Sequence, residues 1–84
     1  MKQNLYSIYD TVACVFNKPF ADINDASAMR AFSQSAIEQP HIKDYELFRI
    51  GSYLDSNGIL TPEQNPVKIK TGLEVVNDLA GNET

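Results

Sequence analysis

The feature that most constrains the fold of this 84-residue chain is the turn "DSNG", Asp55–Gly58, which follows the alternating segment "YELFRIGSYL". Asn-Gly tolerates the positive φ angles that tight hairpin turns demand. Alternation places Tyr45, Arg49 and Tyr53 on one face of the first strand, and "ILT" returns after the turn. The pattern predicts a β-hairpin, with a bulge or a close backbone approach at Gly51.

Two further strands are predicted near the N-terminus. The segment Asn4–Asp10, "NLYSIYD", has apolar residues on both faces, which is typical of a central strand. Asp10 can open a turn, and Val12–Phe20 then forms a second, antiparallel strand. Pro19 has no amide hydrogen, so it should lie at the end of that strand or on an exposed edge. Cys14 is interpreted as a small buried hydrophobic residue within this strand.

Two helices are predicted. Asn24 is a good N-cap for the first helix, which should end before Pro40. Thr71 and Glu74 have the spacing of a capping box at the start of the second helix, and Gly81 is a C-terminal stop. The apolar stripes that would face the sheet are Ala28, Met29, Phe32 and Ala36 in the first helix, and Leu73, Val76 and Leu79 in the second.

The segment between the hairpin and the second helix is predicted to be mostly irregular. Pro62–Pro66, "PEQNP", is interpreted as a loop, and Val67–Lys70, "VKIK", as a brief edge strand. Lys68 and Lys70 alternate, so they should point to the same face of that strand.

These elements predict one α+β domain over residues 1–84. Its antiparallel sheet should have four to five strands in the order β-β-α-β-β-(β)-α, with both helices packed on one face. Residues 4–80 should be ordered, and 81–84 should form a frayed tail.

The sequence contains no motif that indicates catalysis. It has no Gly-rich phosphate loop, no paired-cysteine metal motif and no HExxH or GxSxG segment. Nucleophile–base chemistry would need Cys14, the single cysteine, beside His41, the single histidine. We therefore expect no enzyme activity, no metal and no cofactor.

Composition indicates a cytosolic protein and favours self-association. No stretch approaches the ~18 apolar residues of a membrane span, and the N-terminus lacks the apolar region of a signal peptide. A domain this short has a small core, and one cysteine allows no internal disulfide. Oligomerisation is the remaining source of stability, so we expect a homodimer.

The charge balance limits how the chain could bind nucleic acid. The net charge is −4 with seven Lys and Arg residues, whereas non-specific DNA binding needs many cations to neutralise phosphates. A local site remains open, in which strand aromatics stack on bases beside basic groups. The alternative is that these aromatics complete the rim of the small core. The candidate nucleic-acid-binding residues are Tyr45, Arg49, Tyr53, Lys68 and Lys70.

Four blocks of sequence together resemble one known protein family. They are "YSIYD" at Tyr6–Asp10, "PF" at Pro19–Phe20, the Asn24–Phe32 segment "NDASAMRAF", and "DYELFRIGSYLDSNGIL" at Asp44–Leu60. The chain is similar, over residues 4 to 76, to the small nonstructural protein of gokushoviruses, which are Microviridae phages with single-stranded DNA genomes.

The resemblance implies a role in phage DNA replication. It points to the switch to single-stranded genome synthesis and packaging in the host bacterial cytoplasm, outside the mature virion, and it brings no assigned catalytic or binding residues. The acidity of the chain favours contacts with phage replication or packaging proteins. Two alternatives stay open, namely a direct single-stranded DNA-binding protein and an internal scaffolding or structural component.

Overall fold

The computed structural model describes residues 1–35 and 38–81, and shows one antiparallel sheet with two helices on one of its faces. The predicted α+β class is confirmed. Ala36, expected in the first helical stripe, and Asn82–Thr84, expected as a frayed tail, lie outside the described residues. The elements are β1 (Lys2–Asp10), β2 (Val15–Phe16), β3 (Phe20–Asp22), α1 (Asp25–Ser35), a 3₁₀ turn (Ile42–Asp44), β4 (Tyr45–Leu54), β5 (Leu60–Thr71) and α2 (Gly72–Gly81).

Strand β1 is central, as its two apolar faces predict. The sheet order is β2-β1-β4-β5, and β3 pairs with β1 on the same edge as β2. The predicted second strand is therefore split in two, and Pro19 lies in the break between β2 and β3. This agrees with the expectation that Pro19 avoids the interior of a ladder.

The turn between β1 and β2 is built by Asp10. Its carboxylate accepts hydrogen bonds from the amides of Val12 at 2.9 Å and Ala13 at 3.1 Å, as expected of an aspartate that opens a turn. Cys14 closes the turn with φ of 58° and is exposed. The prediction that Cys14 is a buried strand residue is wrong, because the strand resumes only at Val15.

The hairpin between β4 and β5 is confirmed. The Gly58 amide donates to the Leu54 carbonyl at 2.7 Å, and the Leu54 amide donates to the Ile59 carbonyl at 3.1 Å. Gly58 has φ of 76°, a conformation that glycine adopts without steric cost. The turn is thus longer than a two-residue loop. The side-chain oxygen of Asn57 also accepts a hydrogen bond from the Ile59 amide within it.

The segment after the hairpin is more regular than the sequence predicts. Pro62–Pro66, expected as a loop, belongs to the single long strand β5. The ladder with β4 is nevertheless interrupted there, because Gly51 pairs with Pro62 and Arg49 pairs with Val67. Residues 63–66 therefore have no paired residue in β4 and bulge out of the ladder. Pro62 lies just before this unpaired segment and Pro66 at its end.

Helix α1 starts as its capping residue predicts. The Asn24 side chain accepts the Ser27 amide at 2.8 Å, which satisfies one of the free donors of the first turn. Ala28 and Phe32 are buried and Met29 is partly buried, so the described part of the predicted stripe faces the sheet.

Helix α2 has the predicted capping box but buries only part of the predicted stripe. The Glu74 carboxylate accepts the Thr71 amide at 3.0 Å, and the Thr71 hydroxyl accepts the Glu74 amide at 3.1 Å. Val75 is 2% exposed, whereas Leu73 and Leu79 are about half exposed. The predicted stripe is therefore wrong in Leu73 and Leu79 and confirmed in Val76, which packs on the core. Close packing of Gly72 on the Ile42 carbonyl at the helix start directs Val75 inward beside it.

The core lies between the sheet and the two helices. Its buried members come from β1, β4, the 3₁₀ turn and both helices, which places α1 and α2 on the same face of the sheet, as predicted. Within the described ranges, neither helix has the length and hydropathy of a membrane span. The core residues are Tyr6, Ala28, Phe32, Ile42, Leu47 and Val75.

Candidate functional site on the open face of the sheet

The face of the sheet that carries no helix, here called the open face, presents a cluster of aromatic rings. Tyr9 of β1 pairs with Phe16 of β2, and Phe48 of β4 lies beside them. We call these three residues the aromatic cluster. Phe16 is 41% exposed, and Ser7, which pairs with Phe48, is 1% exposed. The cluster covers the strand beneath it and is itself in contact with solvent.

The rings of the aromatic cluster pack against one another at steep angles. Tyr9 and Phe16 have ring centroids 4.7 Å apart at 49°, and Phe16 and Phe48 are 5.4 Å apart at 71°. Tyr9 and Phe48 are 6.2 Å apart at 84°. The two contacts made by Phe48 are favourable edge-to-face contacts, and the Tyr9–Phe16 contact is a tilted one. Rings tilted in this way do not form a flat platform on which successive bases stack in parallel.

Lys68 borders the aromatic cluster and is already engaged. Its ammonium lies 3.3 Å from the Glu46 carboxylate and 5.9 Å from the centroid of the Phe48 ring. Both contacts attract the cation, the first by charge and the second through the negative face of the ring. Lys68 and Glu46 are the charged residues that the pairing register places on the open face in the described part of the chain. The open face is therefore neutral.

Lys68 and Lys70 lie on opposite faces of the sheet, so the prediction that they share a face is wrong. Leu47 pairs with Lys70 and Phe48 with Lys68, which leaves Ile69 as an extra residue in β5. A bulge of this kind reverses the facing of the side chains beyond it. Ile69 and Lys70 consequently both lie on the helix side, where Ile69 packs on the core.

A second bulge separates Tyr53 from Tyr45 and Arg49. Tyr6 pairs with Arg49 and Leu5 with Gly51, so β4 gains one residue relative to β1. Tyr45 and Arg49 therefore face the helices, and Tyr53 faces the open side. The prediction that the three share one face is wrong for Tyr53.

Arg49 is held by carboxylates inside the fold. Its guanidinium donates to Asp25 at 2.6 Å and to Glu63 at 3.4 Å. The hydrogen bond to Asp25 raises the pKa of Arg49 above its usual value. Burial alone would raise the pKa of Asp25, but hydrogen bonds from Tyr6 and Arg49 outweigh burial and lower it. Arg49 thus joins α1, β4 and β5, and its charge is compensated within the domain.

Lys70 is compensated in the same way. Its ammonium lies 2.6 Å from the Asp78 carboxylate of α2. Of the five residues predicted to bind nucleic acid, the structure brings Tyr53 and Lys68 to the open face, and Tyr45, Arg49 and Lys70 to the helix side. The predicted set does not form one surface, and each of its three cations has a carboxylate partner.

A sequence model described as Phage ORF5 protein matches residues 3–75 of the chain. The chain belongs to the phage ORF5 protein family. No curated protein and no solved structure matches it. The match covers β1 from its second residue, every other strand of this phage protein and the first turn of α2, so the paired residues of the open face fall within the family region.

The remaining surface of the phage ORF5-family chain offers shallow clefts. One of about 220 Å³ is lined by Asp10, Val12, His41, Asp44 and Tyr45. Within residues 1–35 and 38–81, no group of three or more histidine, cysteine or acidic side chains is placed to hold a metal ion.

The aromatic cluster was missed as a site because its members lie on three different strands. Tyr9 and Phe16 are paired across the turn that joins β1 to β2. The sequence signal that could have paired them is the short connection of residues 11–14 between Asp10 and Val15, which are paired as well. Phe48 joins them only through the register of β4 on β1, which a single strand pattern does not reveal.

Proposed function

We propose that this phage ORF5-family protein is a gokushovirus nonstructural protein that acts in viral single-stranded DNA synthesis and genome packaging. The four-block resemblance and the family match over residues 3–75 support this role. The protein acts in the host bacterial cytoplasm, stays out of the mature virion, and works by contacts with phage replication or packaging proteins. It binds and positions other proteins and catalyses no reaction.

The observation that carries the protein-contact mechanism is the open face. It is apolar, aromatic and neutral, whereas a DNA-coating surface needs uncompensated cations. Aromatic residues at the centre of a surface patch with few charges are characteristic of protein–protein interfaces. The chain as a whole is also acidic, at −4, which disfavours contact with phosphates.

Removal of the gene from the phage tests the role. The expected result is that infected cells still make duplex replicative DNA but fail to accumulate and package single-stranded progeny genomes. Supplying the intact gene from a plasmid should restore both. Normal accumulation and packaging of single strands in the deletion phage would refute the proposal. Mass spectrometry of purified virions and procapsids separates a replication role from a scaffolding role, because a scaffolding protein would be abundant in procapsids.

A second candidate function is direct binding of single-stranded DNA. Tyr53 and Lys68 share the open face with the aromatic cluster, and exposed aromatics on a sheet can stack on bases. Titration of a labelled oligonucleotide decides between the two. Steep weakening of binding as salt rises would favour DNA contact, because each neutralised phosphate releases a counterion. Binding that is weak and nearly independent of salt favours the protein-contact mechanism.

A further inference from the structure

We propose that the open face is the surface through which two copies of this chain associate, sheet against sheet. The proposal rests on the same surface as the proposed function: a second copy, in exchange with the monomer, occupies the open face when no phage protein is bound there. The partner copy would cover the aromatic cluster and the exposed side chain of Leu60, which the register places on the same face.

Charge is the first argument for a second copy. The chain carries −4 overall, yet the open face carries one cation, Lys68, and one anion, Glu46. Two copies that meet through this face therefore avoid the repulsion that the net charge of the whole chain would impose. The patch is also complementary to itself, because a two-fold axis through it brings Lys68 of one copy towards Glu46 of the other.

The sheet edges argue against the alternative of strand-to-strand association. The β2–β3 edge is broken at Asn17–Pro19, and Pro19 has no amide to donate. The β5 edge contains Pro62 and Pro66 and the bulge at Ile69. Prolines and bulges of this kind are the features by which natural sheets prevent edge pairing. Face-to-face packing is the arrangement that remains for this sheet.

The geometry of the rings agrees with an apolar protein partner. The rings of the aromatic cluster pack on one another at steep angles and leave Phe16 41% exposed, and side chains of this kind pack between two facing sheets. The cluster is small compared with the ~800 Å² that each partner contributes to a standard interface. The dimer should therefore be in rapid equilibrium with the monomer and should form as concentration rises.

Charge-reversal variants of the purified full chain test the proposal by sedimentation equilibrium. The wild-type mass should rise with concentration from 9.4 kDa towards twice that value. The dimers of Lys68→Glu and of Glu46→Lys should each have a dissociation constant roughly tenfold higher than the wild type, because like charges then face each other. An equimolar mixture of the two variants should associate at least as well as the wild type. Charge pairing confined to one copy cannot produce that recovery.

Apolar variants provide the matched control. Phe16→Ser, within the aromatic cluster, should abolish association, whereas Ile59→Ser, at an exposed site in the hairpin turn, should leave it intact. Circular dichroism confirms that both variants are folded, and Phe16→Leu replaces Phe16→Ser where folding fails. A wild-type chain that stays at 9.4 kDa up to millimolar concentration overturns the proposal. Two other results would also overturn it. One is a mixture of the two charge variants that stays monomeric, and the other is nuclear magnetic resonance signals of open-face residues that shift only with added oligothymidylate.

Discussion

The Tyr6 hydroxyl donates a 2.7 Å hydrogen bond to the Asp25 carboxylate. Tyr6 is fully buried at the centre of β1, and Asp25 lies in the first turn of α1. Arg49 donates to the other oxygen of the same carboxylate at 2.6 Å. One carboxylate at the start of α1 therefore fastens the helix to two strands, and Asp25 also lies where the helix dipole favours a negative charge.

Replacement of Tyr6 by phenylalanine should lower the free energy of unfolding by about 1–2 kcal/mol, because a hydrogen bond to a charged group is lost while the ring is retained. Urea denaturation monitored by circular dichroism measures the change. Tyr53→Phe is the control, since Tyr53 lies partly exposed on the open face, and it should change stability by less than about 0.5 kcal/mol. Equal losses in the two variants would contradict the role assigned to the Tyr6–Asp25 bond.

Stability should fall in strong alkali because of Tyr6. Burial, followed by the hydrogen bond to Asp25, raises the pKa of Tyr6 to about 12. The unfolded chain loses this proton near pH 10 and the folded chain retains it, so the unfolded state is favoured increasingly between about pH 10 and 12. The loss should be on the order of 1–3 kcal/mol. Denaturation at several pH values measures it, and Tyr6→Phe should flatten the dependence over this window.

Asp25 should make the stability of the domain depend on pH in the acid range. Hydrogen bonds from Tyr6 and Arg49 keep its pKa below the usual value despite the opposing effect of burial. Its contribution to stability is complete above the pKa of the unfolded chain and is lost as pH falls through the lower, folded-state value. Asp25→Asn should be less stable than the wild type at neutral pH, and the difference should shrink as acid is added. A difference that stays constant would exclude this origin.

Gly72 should not tolerate a side chain. A Cβ at this buried position would collide with the carbonyl oxygen of Ile42 and approach that of Tyr45 at 3.1 Å. Gly72→Ala should therefore destabilise the domain by about 1–3 kcal/mol or more, because the 3₁₀ turn must move. Leu73→Ala, one residue along and half exposed, is the control and should have a small effect. Unchanged stability of Gly72→Ala would contradict this prediction and would show that the 3₁₀ turn moves away from α2 at little cost.

The parts of the fold that depend on near neighbours were predictable. The Asn24 cap, the Thr71–Glu74 box and the positive φ of Gly58 each involve residues within three positions, and the structure confirms all three. Their chemistry is contained in a few side chains and is insensitive to the rest of the chain.

The composition of each sheet face was not predictable from alternation. The bulges at β4 and at Ile69 leave the alternating pattern intact in the sequence, yet each moves the following residues to the other face. Tyr53 and Lys70 were displaced from the predicted surface in this way. Long-range pairing also decided that Tyr9, Phe16 and Phe48 form the candidate site.

The most direct test of a functional protein contact on the open face uses the phage itself. A phage that encodes Phe16→Ser is compared with one that encodes Ile59→Ser, after both proteins are shown to be folded and equally abundant in infected cells. The account predicts that Phe16→Ser blocks accumulation of single-stranded progeny DNA while duplex DNA is still made, and that Ile59→Ser behaves as the wild type. Normal single-strand production by the Phe16→Ser phage would contradict it.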